Sequence, residues 1–132
     1  SIGGVDRSRR MLMQAQQATL VYDDCVTFIQ EDAEALSFPR NCFDCVTCLE
    51  ALEFMQDPQA VAREMVRVLK PGGVLLLSNR VGSDAWFFLG QLCGRGNLER
   101  HLHRLGLKDV QTELWQVHYD LIWARKDKDV AL

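Results

Sequence analysis

The stretch AREMVRVLKPGGVLLLSN, residues 62–79, carries a helix end, a stop and a strand in immediate succession. Just upstream, Asp57-Pro58 opens the helix. An aspartate there accepts from the free first-turn amides, and proline gives up an N–H that has no partner at that position. Val61, Met65, Val68 and Leu69 then recur at the ~3.6-residue helical period. Lys70 suits the negative end of the helix dipole, Pro71 cannot continue the helix, and Gly72-Gly73 permit a reversal. Val74 to Ser78 follows as a strand whose unbroken apolar character fits burial on both faces, as in the middle of a parallel sheet.

Outward from this core the elements alternate. Ile2 to Val5, Val26 to Ile29 and Phe43 to Cys48 read as strands. Ser8 can cap a helix that places Met11, Leu12, Ala15 and Ala18 on one face. Downstream, Asp84 to Cys93 and Asn97 to Leu105 read as helices, with Gly106 as a stop. Leu107 to Trp115 and Val117 to Ala124 read as an antiparallel hairpin, and Arg125 to Asp129 as a solvated charged end. The expected order is β-α-β-α-β-α-β-α-β-β. Such alternation implies an α/β doubly wound, mostly parallel sheet of Rossmann-like type, closed by the hairpin. One domain over residues 1–126 and a charged tail over 127–132 are expected.

Composition sets limits. The 132 residues are 48% apolar and 25% charged, which is globular and enough for one domain. No apolar run approaches the ~20 residues of a membrane-spanning helix. The net charge of −3 and the absence of a basic stripe argue against a nucleic-acid partner. Five cysteines, an odd number, and no recognisable leader point to a reducing cytoplasm rather than to a secreted disulfide scaffold. The chain opens at Ser1 on an apolar run, from which an N-terminally trimmed fragment is expected.

Doubly wound sheets bind ligands at the carboxyl ends of their strands. Asp6 follows the first strand, where a carboxylate can accept from a ribose diol; it can equally cap a helix or serve a turn. Asp32 follows the second strand and can accept from an adenine amino group while the Ala33 amide faces the ring edge; it can equally be a turn aspartate. Backbone near Leu49, just past Phe43 to Cys48, would face a ligand over the middle of the sheet.

Three segments, GGVDRSRRMLMQA, VTFIQEDAEALSFPRNCFDCVTCLEALEFMQDP and AREMVRVLKPGGVLLLSN, together resemble the class I S-adenosylmethionine-dependent methyltransferases, in particular the type 11 small-molecule subgroup. The resemblance covers most of residues 3–79. It implies S-adenosylmethionine as cofactor, Asp6 as ribose ligand, Asp32 and Ala33 as the adenine site and Leu49 as a backbone contact. It also implies methyl transfer to a small-molecule acceptor. Two features depart from the family. The glycine-rich loop DxGxGxG and the strand before it, which lies between the strands ending at Asp6 and Cys48, are absent. Those two strands are therefore expected to expose unpaired edges. Leu52-Glu53-Phe54 stands where many relatives carry LEH, so no histidine can be carried over.

Methyl transfer from a sulfonium needs alignment and exclusion of water, and at most a base for an oxygen or nitrogen acceptor. Candidate bases are Glu50, Glu53, His101, His103 and His118, each also readable as an ordinary surface or structural residue. Trp86, Phe87 and Phe88 could line an acceptor pocket, which would favour a lipid, a quinone or an aromatic metabolite, or could simply be core. Cys42, Cys45 and Cys48 spell CxxCxxC without a fourth ligand in register, and Cys45 and Cys48 would point to opposite faces of a strand, so no metal is expected. A nicotinamide-binding domain would need GxGxxG, which is missing. The remaining alternative is a non-catalytic remnant or interaction domain of the same fold that binds no cofactor.

Overall fold

The computed structural model describes residues 1–128, apart from the side chains of Leu89 and Gln91. It comprises two compact units, Ser1–Ser37 and Phe38–Leu132.

In the first unit, β1 (Ile2–Asp6) and β2 (Val26–Gln30) pair in parallel, from Ile2 opposite Val26 to Asp6 opposite Gln30. They are connected through α1 (Arg9–Ala18) and a 3-10 turn, Leu20–Tyr22. Ser8 caps α1 as expected, its Oγ accepting from the Met11 amide at 3.3 Å. Gly4 is required by packing: a Cβ there would lie 2.6 Å from the Phe28 ring. No residue of this unit is fully buried.

In the second unit, β3 (Phe43–Cys48), β4 (Leu69–Arg80), β5 (Leu107–Gln116) and β6 (Tyr119–Lys126) form one sheet in the order β3-β4-β6-β5. The β3–β4 pair is parallel, and β6 is antiparallel to both its neighbours. Two helices, α2 (Pro58–Val68) and α3 (Asn97–Arg104), supply Val61, Val66, Leu98 and Leu102 to the core. Leu75 pairs with Ala124 and Leu77 with Ile122, so these four share one face, and all are buried. Each large aliphatic side chain so buried contributes roughly 1.5–3 kcal/mol. Asp57 caps α2 by accepting from the Ala60 amide at 3.0 Å, with Pro58 at the first helical position.

The expected class, strands and closing hairpin are present, and among the described residues β1 and β2 form a two-stranded sheet. Several expectations are corrected. No helix joins β2 to β3: after Gln30 the chain turns, with Asp32 Oδ1 accepting from the Glu34 amide and a proline at position 39. Ser83–Gln91 is 3-10 rather than α-helical, kinked at Phe88 and flanked by Gly82 and Leu92 at positive φ. The hairpin is more than an edge, since its second strand lies between β4 and β5.

Lys70 to Gly73 does not separate helix from strand. β4 begins at Leu69, opposite Phe43, and resumes pairing at Val74, opposite Cys45, with Lys70–Gly73 bulging between. Gly72 has φ +78, and a Cβ on Gly73 would lie 2.8 Å from the Lys70 carbonyl and 3.0 Å from that of Asp44, so the glycines permit the bulge. Arg125 is exposed as expected, whereas Lys126 is not part of a solvated end. They close β6, and Lys126 is 3% exposed. Its Nζ donates to Asn41 Oδ1 at 2.9 Å and to the carbonyls of Val66 and Leu69 at 2.7 Å each, capping the end of α2. Of the expected tail 127–132, residues 129–132 lie outside the described residues. Among the described residues no helix is long and apolar enough to cross a membrane.

Candidate functional site

The first unit brings two predicted residues to one edge. Asp6 ends β1, and Asp32 lies two residues beyond the end of the neighbouring parallel strand β2. Asp6 Oδ1 accepts from the Ser8 amide at 2.7 Å, which fixes the carboxylate at the entrance to α1. Asp32 Oδ1 accepts from the Glu34 amide at 3.0 Å, and its Oδ2 stands 3.7 Å from Arg7 Nε. The turn roles read for both aspartates are thus real, and each leaves acceptor capacity for a ligand because a carboxylate has about four lone-pair positions. Ala33 is half-buried beside Asp32.

In the second unit Leu49, 45% exposed, directly follows β3. The chain turns there through Glu50, at φ +51, whose amide donates to Ser78 Oγ at 2.5 Å. This turn leads into a 3-10 helix, Leu52–Phe54, that buries Glu53. The Glu53 carboxylate accepts from the Tyr119 hydroxyl and stands 3.7 Å from Arg80 Nη1. Arg80 Nη1 also donates to Tyr119 Oη at 2.9 Å, and Nη2 pairs with Asp84 Oδ2. The Arg80 guanidinium lies 4.9 Å from the Phe88 ring centre, and Phe88 meets Phe54 edge-on at 5.8 Å. Asp84 Oδ1 faces His118 Nδ1 at 3.5 Å. Among the candidate bases, the structure therefore gathers Glu53 and His118 into one network, at the carboxyl end of β4.

The electrostatics follow. Arg80 holds the Asp84 carboxyl below its ordinary range, so it stays ionised. Burial, reinforced by the bond to Glu53, pushes Tyr119 up to about 12, so it remains a phenol. Burial and the Glu53 charge push Cys48 up to about 11, and burial does the same for Cys93. Both are therefore protonated thiols rather than reactive thiolates. Arg80, Asp84 and Tyr119 escape sequence reading: Arg80 follows an apolar strand, Asp84 reads as a helix start, and Tyr119 sits inside a hairpin strand. Trp86 and Phe87 are 74% and 87% exposed, so the core reading of that aromatic cluster fails for them.

The other candidate bases are dispersed. Glu50 accepts from Gln116 Nε2 at 3.5 Å, and His103 is exposed on α3. His101 is half-buried, with Nε2 unpaired among the described residues, and burial together with Arg63 and Arg104 lowers its pKa. Unfolding lets it take up a proton, so its contribution to stability is complete above about 6.5 and is lost as pH falls through the folded value. The thermal midpoint is expected to drop between about pH 7 and pH 5 less steeply in His101→Gln than in the parent. Parallel curves would refute this.

The alternating strands and helices define the doubly wound α/β class, whose ligand sites lie at the carboxyl ends of the strands. Residues 1–77 match the family described as "Methyltransferase domain", and the chain belongs to that family, the class I S-adenosylmethionine-dependent methyltransferases. It is 50% identical over 56 residues to the ubiquinone/menaquinone biosynthesis C-methyltransferase UbiE of Hahella chejuensis, covering 42% of this chain and 22% of that protein. It is 36% identical over 92 residues to the ubiquinone biosynthesis O-methyltransferase of Proteus mirabilis, covering 67% of this chain and 37% of that one. The matched stretches thus span well under half of these relatives. Among solved structures, the YcgJ protein of Bacillus subtilis superposes with TM-score 0.80 at 19% identity, covering 95% of this chain and 82% of that one. The cyclase SpnF superposes with TM-score 0.79 at 22% identity, covering 96% and 66%. At these identities the likeness concerns the fold alone, and one of the two is a cyclase by name.

Proposed function

We propose that this chain contributes the cofactor and acceptor surfaces of an enzyme that transfers a methyl group from S-adenosylmethionine to a small, largely apolar acceptor: a lipid, a quinone or an aromatic metabolite. The observation that carries the reading is the placement of Asp6 and Asp32 at the carboxyl ends of adjacent parallel strands. Their carboxylates suit the hydroxyls of a ribose and the amino group of an adenine, with the Ala33 amide beside the latter. Leu49, which the family resemblance implies as a backbone contact, lies in the second unit directly after β3 and is 45% exposed. The cofactor supplies a methyl group already activated by a positive sulfur, so the chain's residues have to bind, align and exclude water. The exposed Trp86, Phe87 and Phe54 favour an apolar acceptor. Cysteines without disulfides suit a reducing cytoplasm.

The test is calorimetric titration of S-adenosylhomocysteine into the folded chain and into Asp6→Ala. Binding is expected, weakened by about 1–3 kcal/mol in the variant, the scale of losing charge-assisted hydrogen bonds. Equal affinity in a folded variant would remove Asp6 from the ribose role. No binding by the folded parent chain would favour a non-catalytic domain of this fold.

A further inference from the structure

We infer that His118, backed by Asp84, is the general base that takes the proton from a hydroxyl on an aromatic acceptor. The inference rests on the methyl-transfer reading above and adds to it the class of acceptor atom. His118 lies in the turn between β5 and β6, its side chain 54% exposed. The turn is tied to the end of β4 by the Val81 amide, which donates to the His118 carbonyl at 2.8 Å. Gly82, at φ +96, supplies the left-handed backbone between Val81 and Ser83, and the position lies beside both His118 Nδ1 and Asp84 Oδ1.

The carboxylate behind the ring is prepared for the role. One oxygen of Asp84 is engaged by Arg80 Nη2. The other is buried, lacks a hydrogen-bond donor among the described residues, and faces the imidazole at 3.5 Å. That spacing is long for a hydrogen bond at rest, and catalytic contacts commonly tighten only when the substrate is bound. A carboxylate at Nδ1 selects the tautomer with the proton on Nδ1, which leaves the Nε2 lone pair free to accept. It also stabilises the imidazolium once the proton arrives. The charged and titratable groups of the surrounding network are Asp84, Arg80, Glu53 and Tyr119, contributed by four different segments.

The acceptor class follows from the same short helix. Ser83–Gln91 carries both Asp84 and the exposed Trp86 and Phe87, while Phe88 leans on exposed Phe54. Aromatic faces at the rim suit a flat ring, and a base suits an acidic ring hydroxyl. The acceptor oxygen bonds to the methyl carbon as the carbon–sulfur bond breaks with its electron pair going to sulfur. The hydroxyl proton passes to His118 Nε2 and then to solvent.

The experiment uses 4-nitrophenol as probe, at a pH where the free phenol is mostly protonated, and reads the phenolate absorption band. The parent chain is expected to bind the probe with a several-fold higher phenolate fraction than in free solution. His118→Gln, at an exposed position, should still bind it but lose that excess, Asp84→Asn should reduce it, and Trp86→Ala should weaken binding. An unchanged phenolate fraction in His118→Gln, or no binding of the probe to the parent chain, overturns the inference. The S-adenosylhomocysteine titration is independent of this readout. Cofactor binding without a probe response sinks the base and leaves the methyl-transfer reading standing. A probe response without cofactor binding sinks the methyl-transfer reading and, with it, the role of His118 as base for a methyl acceptor, leaving only a histidine that deprotonates a bound phenol.

Discussion

Replacing Lys126 with methionine is expected to lower the stability of the chain by about 2–4 kcal/mol, although the substitution removes a charge and leaves the apolar stem in place. The ammonium is 3% exposed with its residue and satisfies three acceptors: Asn41 Oδ1 and the carbonyls of Val66 and Leu69. Those carbonyls come from the last turn of α2 and the residue after it, where helical geometry supplies no partner. A buried acceptor left without a donor costs about 1–3 kcal/mol, and methionine strands two backbone groups at once. Set against an ordinary domain stability of about 5–15 kcal/mol, the change is a large fraction of the whole. Urea denaturation should show a lower midpoint with an unchanged slope. Asn41→Ala, which removes one acceptor and leaves the lysine two, should cost much less. A loss for Lys126→Met no larger than that of Asn41→Ala would show that water reaches the helix end.

The second large effect is expected at Arg80. Its guanidinium, 18% exposed, is shared by Glu53, Asp84 and Tyr119. The Glu53 side chain is only 2% exposed, and Tyr119 is its other polar contact in the network. Arg80→Met leaves a buried carboxylate without its cation, a change that costs about 3–5 kcal/mol. A buried charge left without a counter-ion costs more than a lost contact. Adding Glu53→Gln to Arg80→Met should therefore recover much of the loss, because the neutral amide needs no counter-ion, and the two substitutions should be strongly non-additive. Tyr119→Phe removes two hydrogen bonds, one donated to Glu53 and one accepted from Arg80, while the cation stays, and should cost about 1–3 kcal/mol. Simple additivity of Arg80→Met and Glu53→Gln would mean that the two side chains do not share an energetic fate.

The local features of the fold were legible because their causes are local. Asp57 and Pro58 start α2 through bonds within four residues, and Ser8 starts α1 in the same way. Phe43 to Cys48 is a strand over the boundaries its sequence suggests. Asp6 and Asp32 could be placed as well, since a residue just past a strand lies at the sheet's carboxyl edge wherever the strand sits. Lys70 to Gly73 shows where such reasoning stops. Its residue types predict a break, yet pairing with β3 on both sides converts the break into a bulge inside one strand. In the same way α1 has an apolar stripe, while burial depends on what packs against it, and no residue of Ser1–Ser37 is fully buried.

The network around Arg80 was less legible because its contacts are long-range. Arg80 meets Tyr119 across 39 positions and Tyr119 meets Glu53 across 66. Neither separation carries a periodic signal. The sequence by itself determined the strands, the two capped helix starts, the family and the two strand-end aspartates, since each depends on a few neighbouring residues or on a motif. Only the tertiary structure decided that Glu53, Arg80, Asp84, His118 and Tyr119 share one site. The register that sets Arg80 opposite Tyr119 is a property of paired strands, and no single strand contains it.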